Sequence, residues 1–148
     1  MSKFLNDLSK EKQTNQKIIK TLLSMSSKIQ QIVEVKGKFK YYDFIVIKKN
    51  GEITKIESKT HYRALQTNNI AVEYMCSGKL SGISTTQADY QLHHIPGKCI
   101  LLIKTATLLE ACKNAYSVKG GDNYVANMYL LSIPTVIAIA DKKIEVKY

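Results

Sequence analysis

The sequence predicts an α/β fold, a mixed β-sheet flanked by helices, and three observations predict it. An amphipathic helical pattern opens the chain. A series of β-branched and aromatic segments separated by turn residues follows it. Helical and strand patterns then alternate toward the C-terminus. At 148 residues, with 45% hydrophobic and 23% charged residues, the chain has the composition of one globular domain, 1–148, with residues 1–9 read as a flexible polar lead-in.

The elements follow in order. Ile18, Ile19, Leu22, Leu23 and Met25 fall near helical spacing, so a helix is predicted from Lys10 to about Lys28, with Ser9 as its N-cap. Residues 31–35 are a strand. Residues 41–47 are a stronger one, and its run Phe44–Ile47 is apolar on both faces, which predicts a central position. Residues 48–52 form a hairpin turn and residues 53–59 the returning strand, giving an antiparallel meander. Residues 69–74 are a fourth strand and residues 77–83 a loop. A helix is predicted from Thr85 to before Pro96, because Ser84 and Gln87 have capping-box spacing. Residues 98–103 are a buried strand, 106–115 a helix, and 129–133, 136–140 and 144–147 closing strands.

Charge and cysteines narrow the function classes. There are 22 Lys+Arg against 12 Asp+Glu, a formal net charge of +10. That excess draws in polyanions, and DNA is the expected partner, although a basic surface with no specific partner fits the charge equally well. A membrane partner is not expected, since no basic amphipathic helix carries an aromatic apolar face, and the run 128–140 is too short to span and is broken by Pro134. Cys76, Cys99 and Cys112 are odd in number and widely spaced. They suggest neither a disulfide framework nor a zinc site, and fit reduced thiols in a cytoplasmic protein.

The chemistry resides in Asp43 and the segment Glu57-Ser58-Lys59. Residues two apart on a strand share a face, so Glu57 and Lys59 project together. Whether Asp43 joins them depends on the hairpin. A two-residue Asn50-Gly51 turn would set Asp43 opposite Ser58, on the wrong face. A three-residue loop over Lys49, Asn50 and Gly51, with Gly51 at positive φ as a bulge, sets Asp43 opposite Glu57. In that register two carboxylates offer hard oxygen ligands to Mg²⁺ or Mn²⁺, and the lysine can stabilise charge on a phosphoryl group. A surface ion pair between Glu57 and Lys59 or Lys55 is the plain alternative.

These segments resemble a known family. The order of helix, strand, Asp-bearing strand, hairpin and Glu-Ser-Lys strand is similar to the PD-(D/E)XK nuclease superfamily. Residues 42–46, 56–59, 69–74 and 81–90 resemble small phage-encoded nucleases of Holliday-junction-resolvase type, over roughly residues 10–133. The resemblance implies a restriction-endonuclease-like sheet. It also implies a metal-dependent deoxyribonuclease in which Asp43 and Glu57 bind Mg²⁺ or Mn²⁺ and Lys59 is catalytic. A homodimer acting on DNA branches, in the host cytoplasm for a phage-encoded protein, is part of the same expectation. Two features depart from the pattern. Tyr42 stands where many relatives have proline. The first helix offers Asn15 or Gln16, with Glu11 one turn earlier, where many relatives have a glutamate. A restriction- or repair-type duplex endonuclease and a non-catalytic nucleic-acid-binding protein of this fold remain alternatives.

Further residues are weighed beside the core three. Glu73 sits in an apolar strand and could support the metal or Lys59, or lie at a sheet edge. Gln87 could contact the site or DNA, or only cap its helix. Ser84, Thr85 and Thr86 at that helix N-terminus could bind phosphate. Asp89 and His93, four apart on the same helix, could pair. Lys36, Lys38, Lys40, His61 and Arg63 are candidate DNA contacts that ordinary solvated residues would explain as well.

Overall fold

The computed structural model describes residues 3–37 and 41–148. The chain is a mixed α/β protein whose elements run α1 (Lys3–Met25), β1 (Ile29–Glu34), β2 (Phe44–Lys48), β3 (Ile53–Thr60), α2 (Ala64–Thr67), β4 (Asn69–Cys76), β5 (Lys79–Leu80), β6 (Tyr90–Ile95), β7 (Cys99–Lys104), α3 (Thr105–Cys112), β8 (Tyr116–Gly120), β9 (Ala126–Ser132), α4 (Ile133–Ile139) and β10 (Lys142–Glu145). The strands form two sheets, one ordered β1-β2-β3-β6-β7-β10 and the other β5-β4-β9-β8.

The helix α1 packs on one face of the six-stranded sheet because its apolar residues repeat at helical spacing. Ile18 and Leu22 meet Phe44, Val46, Ile56, Leu92 and Ile100 in a buried cluster. The opposite face of the sheet carries Ile95, Cys99, Leu101 and Ile103. These pack against Ile70, Val72 and Leu131 of the second sheet, with Leu108 of α3 and Val136 of α4 filling between. Every residue of β6 after Tyr90 is therefore buried on one side or the other.

The meander β1-β2-β3 is antiparallel throughout, as its sequence predicts. Its hairpin takes the three-residue form. The Lys48 N–H donates to the Glu52 carbonyl (2.9 Å), the Gly51 N–H donates to the Lys48 carbonyl (2.9 Å), and Gly51 has φ of 88°. Phe44 pairs with Ile56 at the end of the β2-β3 ladder, and the preceding Asp43 N–H donates to the carbonyl of the same Ile56 (2.9 Å).

Four expectations are corrected. The chain begins its helix at Lys3 rather than Lys10, so most of the expected lead-in is helical. Residues 85–95 contain no helix. The chain makes a short 3-10 turn over Gly82–Ser84, runs irregularly to Asp89, and enters β6. The Ser84 hydroxyl donates to the Tyr74 carbonyl instead of capping, and Asp89 is tied to β3 through its N–H on the Lys55 carbonyl and its carboxylate on the Lys55 N–H (both 2.8 Å). These tertiary bonds, with burial of both faces of residues 91–95, outweigh the local capping signal. Residues 136–140 belong to α4, whose N-cap Ser132 accepts from the Thr135 N–H, with Pro134 in the first turn. The fourth expected strand, β4, lies in the second sheet and pairs with β5 and β9.

Candidate active site

The face of the six-stranded sheet turned away from α1 gathers the polar residues. Strand alternation puts Ile56 into the α1 core, so Glu57 and Lys59 fall on the other side, while Asp43 precedes β2 and lies close enough for its charge to act on Glu57. Asp43 is held at the start of β2: its N–H donates to the Ile56 carbonyl (2.9 Å), and its Oδ2 accepts from the Ser58 N–H (2.7 Å). Glu57 and Lys59 thus share one face of β3, and Asp43 is fixed at the entry to β2 with its carboxylate on the Ser58 N–H. No ion pair among the described residues joins Glu57 to Lys59 or Lys55, so the plain surface-pair alternative does not describe this site.

Beside them runs a second row. Strand β6 is parallel to β3 and pairs Gln91 with Glu57 and His93 with Lys59. Gln91 donates to Thr105 Oγ1 (3.2 Å) and reaches Glu57 Oε2 (3.5 Å), while the Thr105 hydroxyl is fixed on the Ala88 carbonyl (2.7 Å). His93 Nδ1 and His61 Nε2 share a hydrogen bond of 2.7 Å, and both rings are buried. Burial, followed by the charge of neighbouring groups including Lys59, pushes His61 from 6.5 down to about 2 and His93 to about 4. The pair is neutral at ordinary pH. His93 Nε2 is buried and has no hydrogen-bond partner.

Glu73 reaches this site from β4. Its Oε2 accepts from the Ser81 hydroxyl (2.9 Å), and a Cβ on Gly82 would sit 2.2 Å from its backbone oxygen, so only glycine lets the 82–84 turn close against the strand. Glu57, Lys59, His61, Glu73, Gln91 and His93 line one cavity of about 260 Å³ between the two sheets. Burial raises the Glu57 carboxyl above its ordinary value, and the nearby Asp43 and Glu73 charges add to the rise. Hydrogen bonds from Thr86 and Gln91 oppose it.

The remaining expected residues separate clearly. Glu11 lines a different groove, with Lys10, Thr14, Asn15, Ser58 and Lys59, and is therefore not a companion of Asp43 and Glu57. Asn15 is spent on Glu34 (3.3 Å), and Gln16 is exposed. Gln87 is exposed, and its N–H donates to the Tyr41 carbonyl (3.2 Å). Ser84 and Thr85 are exposed but sit at no helix N-terminus, and Thr86 turns toward Glu57. His61 is buried and cannot meet a phosphate from solvent, whereas Lys36 and Arg63 are exposed. Asp89 and His93 do not pair, and His93 and His94 point to opposite faces of β6. Lys38 and Lys40 lie outside the described residues. Gln91 has no signal in a helical reading, and His93 has there only Asp89 as a partner, because a helix assignment hides an i, i+2 relationship.

Two carboxylates with a third nearby suit a hard divalent ion such as Mg²⁺, which is held through one or two carboxylates and keeps several waters. Among the described residues no three His, Cys, Asp or Glu side chains are arranged around one point, so the chain itself supplies few ligands. Half-burial of like charges at Asp43, Glu57 and Glu73 is the arrangement a cation would relieve. No described helix is long and apolar enough to cross a membrane. Comparison with protein-family models, with curated proteins and with solved structures returned no match.

Proposed function

We propose that the chain is a metal-dependent nuclease that hydrolyses DNA phosphodiester bonds, with a preference for branched DNA. The observation that supports this reading is the Asp43 carboxylate held on the Ser58 N–H, near enough for its charge to act on Glu57, with Lys59 on the Glu57 side of β3. Asp43 and Glu57 would hold Mg²⁺ or Mn²⁺, which when bound offsets phosphoryl charge and lowers the pKa of a coordinated water. Lys59 supplies a cation at the rim of the cavity, where charge develops on the phosphoryl oxygens during displacement. Gln91 steadies the Glu57 carboxylate, and the neutral His61–His93 pair backs the lysine without adding competing positive charge. The formal charge of +10 favours approach of the polyanion.

The test is a cleavage panel of four-way junction, flap and blunt duplex DNA, with Mg²⁺, with Mn²⁺ and with EDTA. Cleavage is expected with metal and lost with EDTA. Lys59→Ala is expected to cut on the order of 10²–10³-fold more slowly. Binding without any metal-dependent cutting would leave a non-catalytic DNA-binding protein, and equal cutting of blunt duplex would point to a duplex endonuclease. Undiminished cleavage by Lys59→Ala would remove the role given to that lysine.

A further inference from the structure

Lys59 and Ser58 form a wall shared by two spaces. One is the cavity of Glu57 and Glu73. The other is a polar groove of about 470 Å³ between α1 and the end of β3, lined by Lys10, Glu11, Thr14 and Tyr62. A strand with its scissile phosphate at Lys59 can continue into either of them. The inner cavity, at about 260 Å³, is smaller than sites that hold small ligands, about 300–1,000 Å³, and its carboxylates repel a second phosphate. The groove falls within that size range and offers an ammonium, hydroxyls and an aromatic ring. Tyr62 remains 53% exposed, with Lys10 Nζ over one face of its ring, 4.2 Å from the centroid, so a base stacks on the face that the ammonium does not cover. An aromatic ring beside a lysine is the combination that stacks a base while meeting the adjoining phosphate.

Resting on the nuclease reading, we infer that this groove binds the nucleotide flanking the scissile phosphate as an unpaired unit, its base on Tyr62 and its phosphate at Lys10. The preferred DNA then carries a single-stranded stretch next to the cut, as a flap does. Glu11 is the one acid on the groove and opposes the phosphate, so Glu11→Gln should tighten binding.

The test is fluorescence anisotropy on the full chain in EDTA, with labelled single-stranded, flap and blunt-duplex oligonucleotides, beside cleavage of the same DNAs in Mg²⁺. Single-stranded and flap DNA should bind more tightly than blunt duplex. Tyr62→Ala should weaken single-strand binding about tenfold, and Tyr62→Phe, which keeps the ring, should recover most of it. Lys10→Ala should lower the slope of log affinity against log salt by about 0.7. Tyr116→Ala, 85% exposed on β8 in the second sheet, serves as the control and should bind as wild type does. Wild-type binding by both Tyr62→Ala and Lys10→Ala, in a chain that cleaves DNA, overturns the groove assignment alone. A chain that neither binds nor cleaves any of the DNAs overturns the nuclease reading beneath it.

Discussion

Acidification should unfold this protein through the His61–His93 pair. Both rings are buried and held neutral, His61 at about 2 and His93 at about 4 against an ordinary 6.5. In the unfolded chain each takes up a proton as pH falls below its ordinary value, while the folded chain does not. Stability is therefore complete above 6.5 and is lost as pH drops toward the folded values. At pH 5 the difference is 1.5 pH units per ring, or about 2 kcal/mol each and about 4 kcal/mol for the pair. The chain's charge of +10 also disfavours protonation when unfolded, so this figure is an upper one. A typical domain has about 5–15 kcal/mol in total, so the effect is large. Urea denaturation at pH 7 and pH 5 measures it, with the double variant His61→Gln/His93→Gln as reference. Wild type should lose several kcal/mol more than the variant between the two conditions. Equal losses would refute the claim that a neutral buried pair lies behind Lys59.

Three further outcomes are expected. Ionised Glu57 costs stability because its carboxyl is raised, so in EDTA Glu57→Gln should melt above wild type at pH 8, and the gap should close as pH falls through the carboxylate range. Added Mg²⁺ should raise the wild-type melting temperature and leave that of the variant unchanged. Gly51→Ala should cost about 1 kcal/mol by chemical denaturation, since an L side chain is forced to φ of 88° with nothing within 4 Å to compensate. Gly82→Ala should cost more than Gly51→Ala, because its Cβ would meet the Glu73 carbonyl at 2.2 Å, and it should weaken Mg²⁺-dependent stabilisation as Glu73 shifts.

The first half of the fold was legible in the sequence. The Asn50-Gly51 pair, the apolar run of β2 and the i, i+2 spacing of Glu57 and Lys59 are local signals, and together they fix the hairpin and the face that Glu57 and Lys59 share. Residues 84–95 were not legible, because burial on both faces removes the period of two and leaves a capping-like Ser84 and Gln87 as the strongest local cue. That single error concealed Gln91 and the place of His93 beside Lys59. The division into two sheets was equally hidden, since strand patterns do not say which partner lies alongside. Ser132 and Pro134 did mark the start of α4, yet the β-branched residues after them read as a strand.

The parallel pairing of β3 with β6 has a consequence for how the molecule assembles. Residues 61–89 separate the two strands, and that stretch carries β4 and β5 of the second sheet, whose β4 needs β9 near the C-terminus. The hairpin β2-β3 can close early from nearby residues, but its outer edge stays open until distant parts of the chain arrive. A growing or truncated chain ending near residue 89 would expose that edge as a template for pairing with other molecules. Synthesis of this protein should accordingly tolerate loss of the first turns of α1 far better than loss of everything after residue 89, with inclusion bodies the visible sign.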